Sequence, residues 1–283
     1  MQIQQALSHA SSRLIQSESS VLDAELLLAH ALVKSREFLI TWPETDLSEP
    51  EQKAFINLLE QRVIGHPIAH LIGSRAFWNF DLLVSSDVLI PRPETELLVE
   101  LTFEYLDEHN LVLADLGTGS GAIALAIANE RKSWHIVATD FSQAALNVAK
   151  INAQNLKLDN IEFRQGVWTN ALKGGRGNEQ NAELFDAIIS NPPYIDKKDE
   201  NLSQGDVRFE PMQALVAEEK GLADLKKITT TAQEYLKPGA ILLLEHGYQQ
   251  GEAVRQLLKQ SEYKNILTYK DLAGHERATV ARK

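Results

Sequence analysis

The segment Asp115-Leu116-Gly117-Thr118-Gly119-Ser120-Gly121 stands between an apolar run, residues 111–116, and a helix-forming run, 122–129. Glycines at three alternate positions after a strand permit a tight turn straight into a helix. The following pattern repeats the alternation. A second strand, 135–140, ends in Asp140, and a helix covers 141–155. A third strand, 161–164, ends near Gly166-Val167-Trp168, and a fourth apolar run covers 184–189. A helix is expected over 222–236. Lys237-Pro238-Gly239 then reads as a turn into a fifth strand, 240–244. A helix over 248–258 and two closing strands near 265–270 and 276–282 complete the chain. Strands alternating with helices predict an α/β, Rossmann-like doubly wound, mostly parallel sheet. Such sheets bind ligands at the carboxyl ends of their strands.

The N-terminal part differs. Residues 1–75 show helical spacing, with a capping box at Ser48-Glu49-Pro50-Glu51, and predict a small helical-bundle domain. Residues 76–90 read as a β-hairpin linker, with partial alternation over 77–89, and 91–283 as the main domain. Gly65-His66-Pro67-Ile68-Ala69-His70 ends the bundle; its two histidines have no third ligand nearby, so no metal site is expected. Gly174-Gly175-Arg176-Gly177-Asn178 reads as a flexible surface insertion. In Ile90-Pro91-Arg92-Pro93-Glu94-Thr95-Glu96 the prolines fix an extended approach to a helix. Either this is an ordinary helix start, or Arg92 or Glu94 borders the cleft.

With 283 residues the chain can hold a large core. It has no cysteine, which rules out disulfides, thiolate metal sites and cysteine nucleophiles. No secretory signal or membrane span is read from it, so a cytoplasmic protein is expected. A net charge of −11 argues against nucleic acid as the main direct partner.

The glycine turn leaves two cofactors open. Gly117, Gly119 and Ala122 fit the dinucleotide spacing, with Asp140 placed to hold a ribose. Gly117, Gly119 and Gly121, preceded by Asp115, equally suit S-adenosylmethionine. A P-loop is excluded because no Gly-Lys-Ser/Thr follows, and Ser120 does not sit in a G-x-S-x-G elbow. Trp168, on the same sheet edge, either borders an adenine or packs the rim.

Ser190-Asn191-Pro192-Pro193-Tyr194 follows the fourth strand. Each proline lacks an N–H and holds its predecessor extended. The result is a stiff rim of acceptors, the Asn191 side-chain carbonyl and a main-chain carbonyl, suited to the two donors of a planar –NH2 group. Tyr194 can add an aromatic wall. The same residues could also simply terminate the strand.

Together the glycine turn and Asn191-Pro192-Pro193-Tyr194 resemble a class I S-adenosylmethionine-dependent methyltransferase acting on a planar amino group. The segments 90–96, Phe209-Glu210-Pro211 with Ala214-Leu215, and Asp271-Leu272-Ala273-Gly274 through Arg277 are similar to the HemK/PrmC family. That family comprises protein-(glutamine-N5) methyltransferases of class I peptide chain release factors. The resemblance spans nearly the whole chain. It implies that Gly117, Thr118, Gly119, Ser120, Gly121, Asp140, Trp168 and Asn191 contact the cofactor. It implies that Asn191, Pro192, Pro193 and Tyr194 grip the substrate glutamine, with Asn191, Pro192 and Tyr194 catalytic. It also implies a release factor as partner, docked by the helical domain; the enzyme is expected to be a monomer. Two departures stand out: Val167 where the family often has an acid, and a lengthened stretch over 173–182. The Asn-Pro-Pro-Tyr motif is shared with adenine-N6 DNA methyltransferases, which remain the alternative. A catalytically idle cofactor-binding module is a further reading that the intact motif opposes.

Overall fold

The computed structural model describes residues 1–173 and 183–283. The insertion expected at Gly174 to Asn178, and the lengthened stretch beyond Lys173, lie outside the described residues. The described chain divides into two compact units, Met1–Ser74 with Ser203–Phe209, and Arg75–Leu202 with Glu210–Lys283.

The first unit is helical: α1 (Ile3–Arg13), α2 (Ser20–Leu32), α3 (Arg36–Thr41), α4 (Glu49–Val63) and α5 (Ile68–Ile72). The capping box forms at the start of α4, where the Ser48 N–H donates to Glu51 Oε2 at 2.8 Å. Ile3, Leu27, Leu28, Leu39, Phe55 and Leu59 fill its core. Asp23 is buried there and accepts from Arg62 Nε at 2.8 Å. His66 stacks on Phe209, ring centres 4.3 Å apart. Among the described residues no group of three His, Cys, Asp or Glu could hold a metal.

A two-stranded hairpin, β1 (Ser74–Phe77) and β2 (Phe80–Leu83), comes next. It lies earlier than the alternation over 77–89 suggests. Trp78 at φ 58 makes the turn, and Val84, Val88 and Ile90 are buried outside any strand. After α6 (Glu96–Tyr105) the second unit alternates β3 (Val112–Leu116), α7 (Ala122–Glu130), β4 (His135–Asp140), α8 (Gln143–Asn155), β5 (Ile161–Gln165) and β6 (Phe185–Ser190). Two short strands, β7 (Ile195–Asp196) and β8 (Val216–Ala217), pair with each other. The single turn α9 (Glu218–Gly221), α10 (Ala223–Ala232), β9 (Leu236–Glu245), α11 (Gly251–Gln260), β10 (Lys264–Lys270) and β11 (Glu276–Arg282) follow.

Seven strands form one sheet in the order β10-β11-β9-β6-β3-β4-β5. Strands β9, β6, β3, β4 and β5 run parallel, and β11 is antiparallel to both neighbours. Both faces are covered at the centre of the sheet, which is why β6 and the second half of β9 are nearly continuous apolar runs, while the edge strands β5 and β10 carry polar residues. Successive side chains point to opposite faces. Leu113, Ile189 and Leu243 join the core under α6 and α7, while Ala114, Ile188 and Leu242 join the core under α10 and α11. Lys237-Pro238-Gly239 is not a turn before a strand but lies within β9. There the register slips between the pairs Phe185/Leu236 and Ala187/Ile241, so a bulge absorbs the residues that look like a turn.

The chain runs outward from β3 to β4 to β5, then returns to place β6 on the other side of β3. The carboxyl ends of β3 and β6 therefore flank the point where the strand order reverses, the position where such sheets hold ligands.

Candidate active site

A cavity opens at that edge. Its lining includes Gly117, Gly119, Asp140, Trp168, Asn191 and Pro193 from the motifs, with Val88, Phe141, Val167, Gln213 and Asp224 beside them. Residues distant in sequence thus converge where the topology places the strand ends.

The glycine turn uses its main chain, not its side chains, toward the cavity. Gly117, Gly119 and Gly121 all have positive φ. A Cβ on Gly117 would come within 3.1 Å of the Trp168 ring, so the turn and the indole are packed as closely as a glycine permits. Thr118 and Ser120 are buried and do not line the cavity. The Thr118 hydroxyl turns back to donate to Asp115 Oδ2 at 2.6 Å, and the Ser120 carbonyl accepts from Asn152 Nδ2 at 2.9 Å. Gly121 caps α7.

Asp140, the last residue of β4, accepts from the Gly119 N–H through Oδ2 and from the Ser142 N–H through Oδ1, each at 2.9 Å. Burial raises its carboxyl above the usual range, and these main-chain donors oppose the rise. Each oxygen keeps a second lone pair for a ligand hydroxyl. Trp168 has φ 49, and its indole N–H donates to Asp224 at 3.0 Å. A glycine cradle, a strand-end carboxylate and an aromatic wall are a donor and acceptor set that fits an adenosyl cofactor with a small, flexible tail. The acid that enters the cavity beside the indole is Asp224, at the start of α10; nothing in its local sequence marked it.

Of the Asn191-Pro192-Pro193-Tyr194 run, Asn191 and Pro193 line the cavity, whereas Pro192 is buried. Asn191 Nδ2 donates to Thr95 Oγ1 at 3.2 Å. Tyr194 directs its hydroxyl away from the rim, to Glu245 Oε1 at 3.2 Å. Its main-chain carbonyl accepts from Gln250 Nε2 at 2.9 Å. Gly221, at φ 82, passes so near that a Cβ would lie 2.1 Å from that carbonyl, which no other residue would allow. The segment is therefore clamped from α11 and from α9.

In the proline segment, Arg92 pairs with the buried Glu210, whose Oε2 also accepts from the Ile90 N–H at 2.9 Å. Neither Arg92 nor Glu94 lines the cavity. Thr95 is the residue of that segment that reaches the motif.

Two carboxyls behind the cavity are fully enclosed. Burial pushes Asp115 up to about 7, with the nearby charge of Asp140 adding to the rise and the Thr118 hydroxyl opposing it. Burial likewise pushes Glu245 up to about 7, opposed by Thr95, Tyr194 and Arg277. Both hold their protons more tightly folded than unfolded, so the folded state binds extra protons between the unfolded values and about 7. Stability falls as pH rises across that window and levels above it. Thermal melting between pH 5 and pH 8 should show this decline. Asp115→Asn removes one of the two contributions and should flatten the slope; an unchanged slope would reject the assignment.

Family models for the PrmC N-terminal domain and for a methyltransferase domain match residues 5–73 and 107–282. A release factor glutamine methyltransferase of Shewanella oneidensis is 46% identical over 266 residues, covering 94% of this chain and 90% of that protein. One of Escherichia coli is 45% identical over 282 residues, covering 100% and 99%. Among solved structures, a methyltransferase from Pyrococcus furiosus has a TM-score of 0.52 at 16% identity, covering 80% of this chain and 98% of that one. A Thermus thermophilus 16S rRNA methyltransferase, solved with AdoMet and guanosine, has a TM-score of 0.52 at 18% identity, covering 74% and 49%. These two likenesses bear on the fold, and they agree with the class I methyltransferase sheet expected from the sequence.

Proposed function

We infer the activity of this chain from a plain premise: it belongs to the release factor glutamine methyltransferase family. It methylates the side-chain amide nitrogen, N5, of the glutamine in the Gly-Gly-Gln motif of class I peptide chain release factors. S-adenosylmethionine is the methyl donor; when bound it supplies a methyl group on a positively charged sulfur.

An amide nitrogen is a poor nucleophile because its lone pair is delocalised into the carbonyl. The site offers no strong base at the motif, so positioning must carry most of the rate. The supporting observation is the commitment of Asn191 Nδ2 to Thr95, which leaves Oδ1 as the end that can meet a substrate. Asn191 Oδ1 and the Pro192 carbonyl accept the two N–H groups of the glutamine amide and hold its nitrogen toward the cavity. Pro193 and Tyr194 keep that rim stiff. Orientation of this kind can contribute roughly 7–11 kcal/mol. Gly117 and Gly119 would receive the cofactor along the turn, Asp140 would hold its ribose hydroxyls, and Trp168 would border its adenine. As the methyl group leaves sulfur the positive charge passes to the amide nitrogen, which sheds one of its two N–H protons to water, and a partly dry cavity favours this dispersal of charge.

The N-terminal helical domain docks the release factor. In support, it leaves Val33, Ile40 and Trp42 largely exposed. Single exposed apolar residues are common, but three along one stretch suit a protein contact. The protein acts as a cytoplasmic monomer. Among the described residues no helix is long and apolar enough to cross a membrane.

The deciding experiment offers labelled S-adenosylmethionine with a release factor, its Gln→Ala loop variant and duplex DNA. Label on the wild-type release factor alone is expected. Label on DNA alone would transfer the assignment to adenine-N6 methylation.

A further inference from the structure

We propose that Thr95 and Glu245 are positioning residues that set the direction of the Asn191 amide, with the Glu245 carboxylate as the anchor of a short hydrogen-bond relay. The proposal rests on the reading above, that Asn191 receives a glutamine –NH2.

Glu245 ends β9 and is 1% exposed. Its Oε1 receives the Tyr194 hydroxyl, its Oε2 is buried with no hydrogen-bond partner of its own among the described residues, and the Thr95 hydroxyl stands close enough to stabilise the charge. An ionised carboxylate can only accept. The Thr95 hydrogen is therefore drawn toward Glu245, and the Thr95 oxygen is left as an acceptor. Asn191 answers with its only donor group, Nδ2, at 3.2 Å. An amide has one oxygen end and one nitrogen end, so Oδ1 is turned outward, toward the cavity that Asn191 lines. The reverse orientation would set an –NH2 donor against the –NH2 of the substrate. One buried charge, two hydrogen bonds from the Asn191 amide and three from the substrate, thus decides whether the rim accepts or repels an amino group.

The relay has a polarity, and protonation can reverse it. A protonated Glu245 can donate to Thr95, whose hydroxyl then turns to Asn191 and selects its oxygen. The charged groups facing the relay come from three elements. Arg277 of β11 favours the charged form of Glu245 and is itself held by Asp271 Oδ2 at 3.3 Å. Glu94, beside Thr95, disfavours it, and Arg92 faces the Tyr194 hydroxyl. Burial outweighs these and places the carboxyl at about 7. Turnover should therefore rise as pH increases through about 7.

Three measurements on the full chain test this, with labelled cofactor and a release factor. Thr95→Val keeps the shape and removes the relay. Its kcat should fall by about 100-fold, with the KM for release factor moving less than about threefold. Thr95→Ser restores the hydroxyl and should recover most of the rate. Glu245→Gln offers an acceptor at every pH, so its kcat should lose the rise through about 7. Wild-type kcat in Thr95→Val, or a wild-type pH rise in Glu245→Gln, would overturn the relay. Should Thr95→Val fail to fold, the pH profile of Glu245→Gln still decides. A wild-type enzyme that leaves release-factor glutamine unlabelled would instead remove the reading on which the relay rests.

Discussion

Asn191→Ala should abolish methyl transfer, lowering kcat by about 10³-fold or more, in a protein that melts close to the wild-type temperature. The two halves of this expectation come from different parts of the structure. The side chain sits half-buried at the cavity rim, and its bond is to Thr95. Losing one such bond costs about 1 kcal/mol of stability, and the flanking prolines still hold the main chain extended. The reaction loses more. Without Oδ1 one of the two amide N–H groups has no acceptor, and the nitrogen is no longer confined to a single approach. Asn191→Asp separates acceptor from donor. It restores an oxygen toward the substrate but cannot donate to Thr95, so its rate should fall between those of Asn191→Ala and the wild type. Single-turnover kinetics with saturating cofactor and release factor would measure all three. Near-normal turnover in Asn191→Ala would sink the mechanism.

What could be read from the chain, and what could not, follows from how far the partners lie apart in sequence. Gly117 to Gly121, Asp140 and Asn191 each end or follow a strand, and strand, turn and helix are local patterns. Their convergence follows from topology alone, because a sheet that reverses order after β5 must bring β3 and β6 together. The relay was not legible. Thr95 looks like an ordinary member of a helix start, and Glu245 like the last residue of a strand. Thr95 meets Asn191, and Glu245 meets Tyr194, only because α6 follows the proline segment and β9 lies next to β6. Asp224 was hidden for the same reason. Side-chain direction was hidden too. Thr118 and Ser120 belong to the glycine turn by sequence, yet their side chains are buried away from the cavity, because a turn that offers its main chain to a ligand has its side chains facing the protein. The misplaced turn at Lys237-Pro238-Gly239 has another cause. Proline and glycine disfavour a regular ladder, but a bulge lets a long strand keep them.

Asp140→Ala should reduce cofactor affinity by about 100-fold or more and abolish the thermal stabilisation that the cofactor gives. Asp140 serves two partners at once. Its carboxylate is the acceptor assigned to the ribose hydroxyls, and hydrogen bonds to a charged group are worth about 1.5–3 kcal/mol each. Two of them amount to at least about 3 kcal/mol, or roughly 100-fold in affinity. The same carboxylate ties the Gly119 N–H to the end of β4, so its removal also loosens the turn that would carry the cofactor. Asp140→Asn tells the two roles apart. Its amide keeps one acceptor but turns –NH2 toward either Gly119 or Ser142, both of which present N–H donors. Affinity should therefore fall nearly as far as in Asp140→Ala. The melting temperature without cofactor should suffer less than a lost buried contact usually costs, because the substitution also removes a carboxylate that burial disfavours and that raises Asp115. Calorimetric titration with S-adenosylmethionine, with NAD in parallel, gives the affinities; melting with and without cofactor gives the linkage. Unchanged affinity for S-adenosylmethionine in Asp140→Ala would take the ribose away from this carboxylate. Binding of NAD in its place would reopen the dinucleotide reading of the glycine turn.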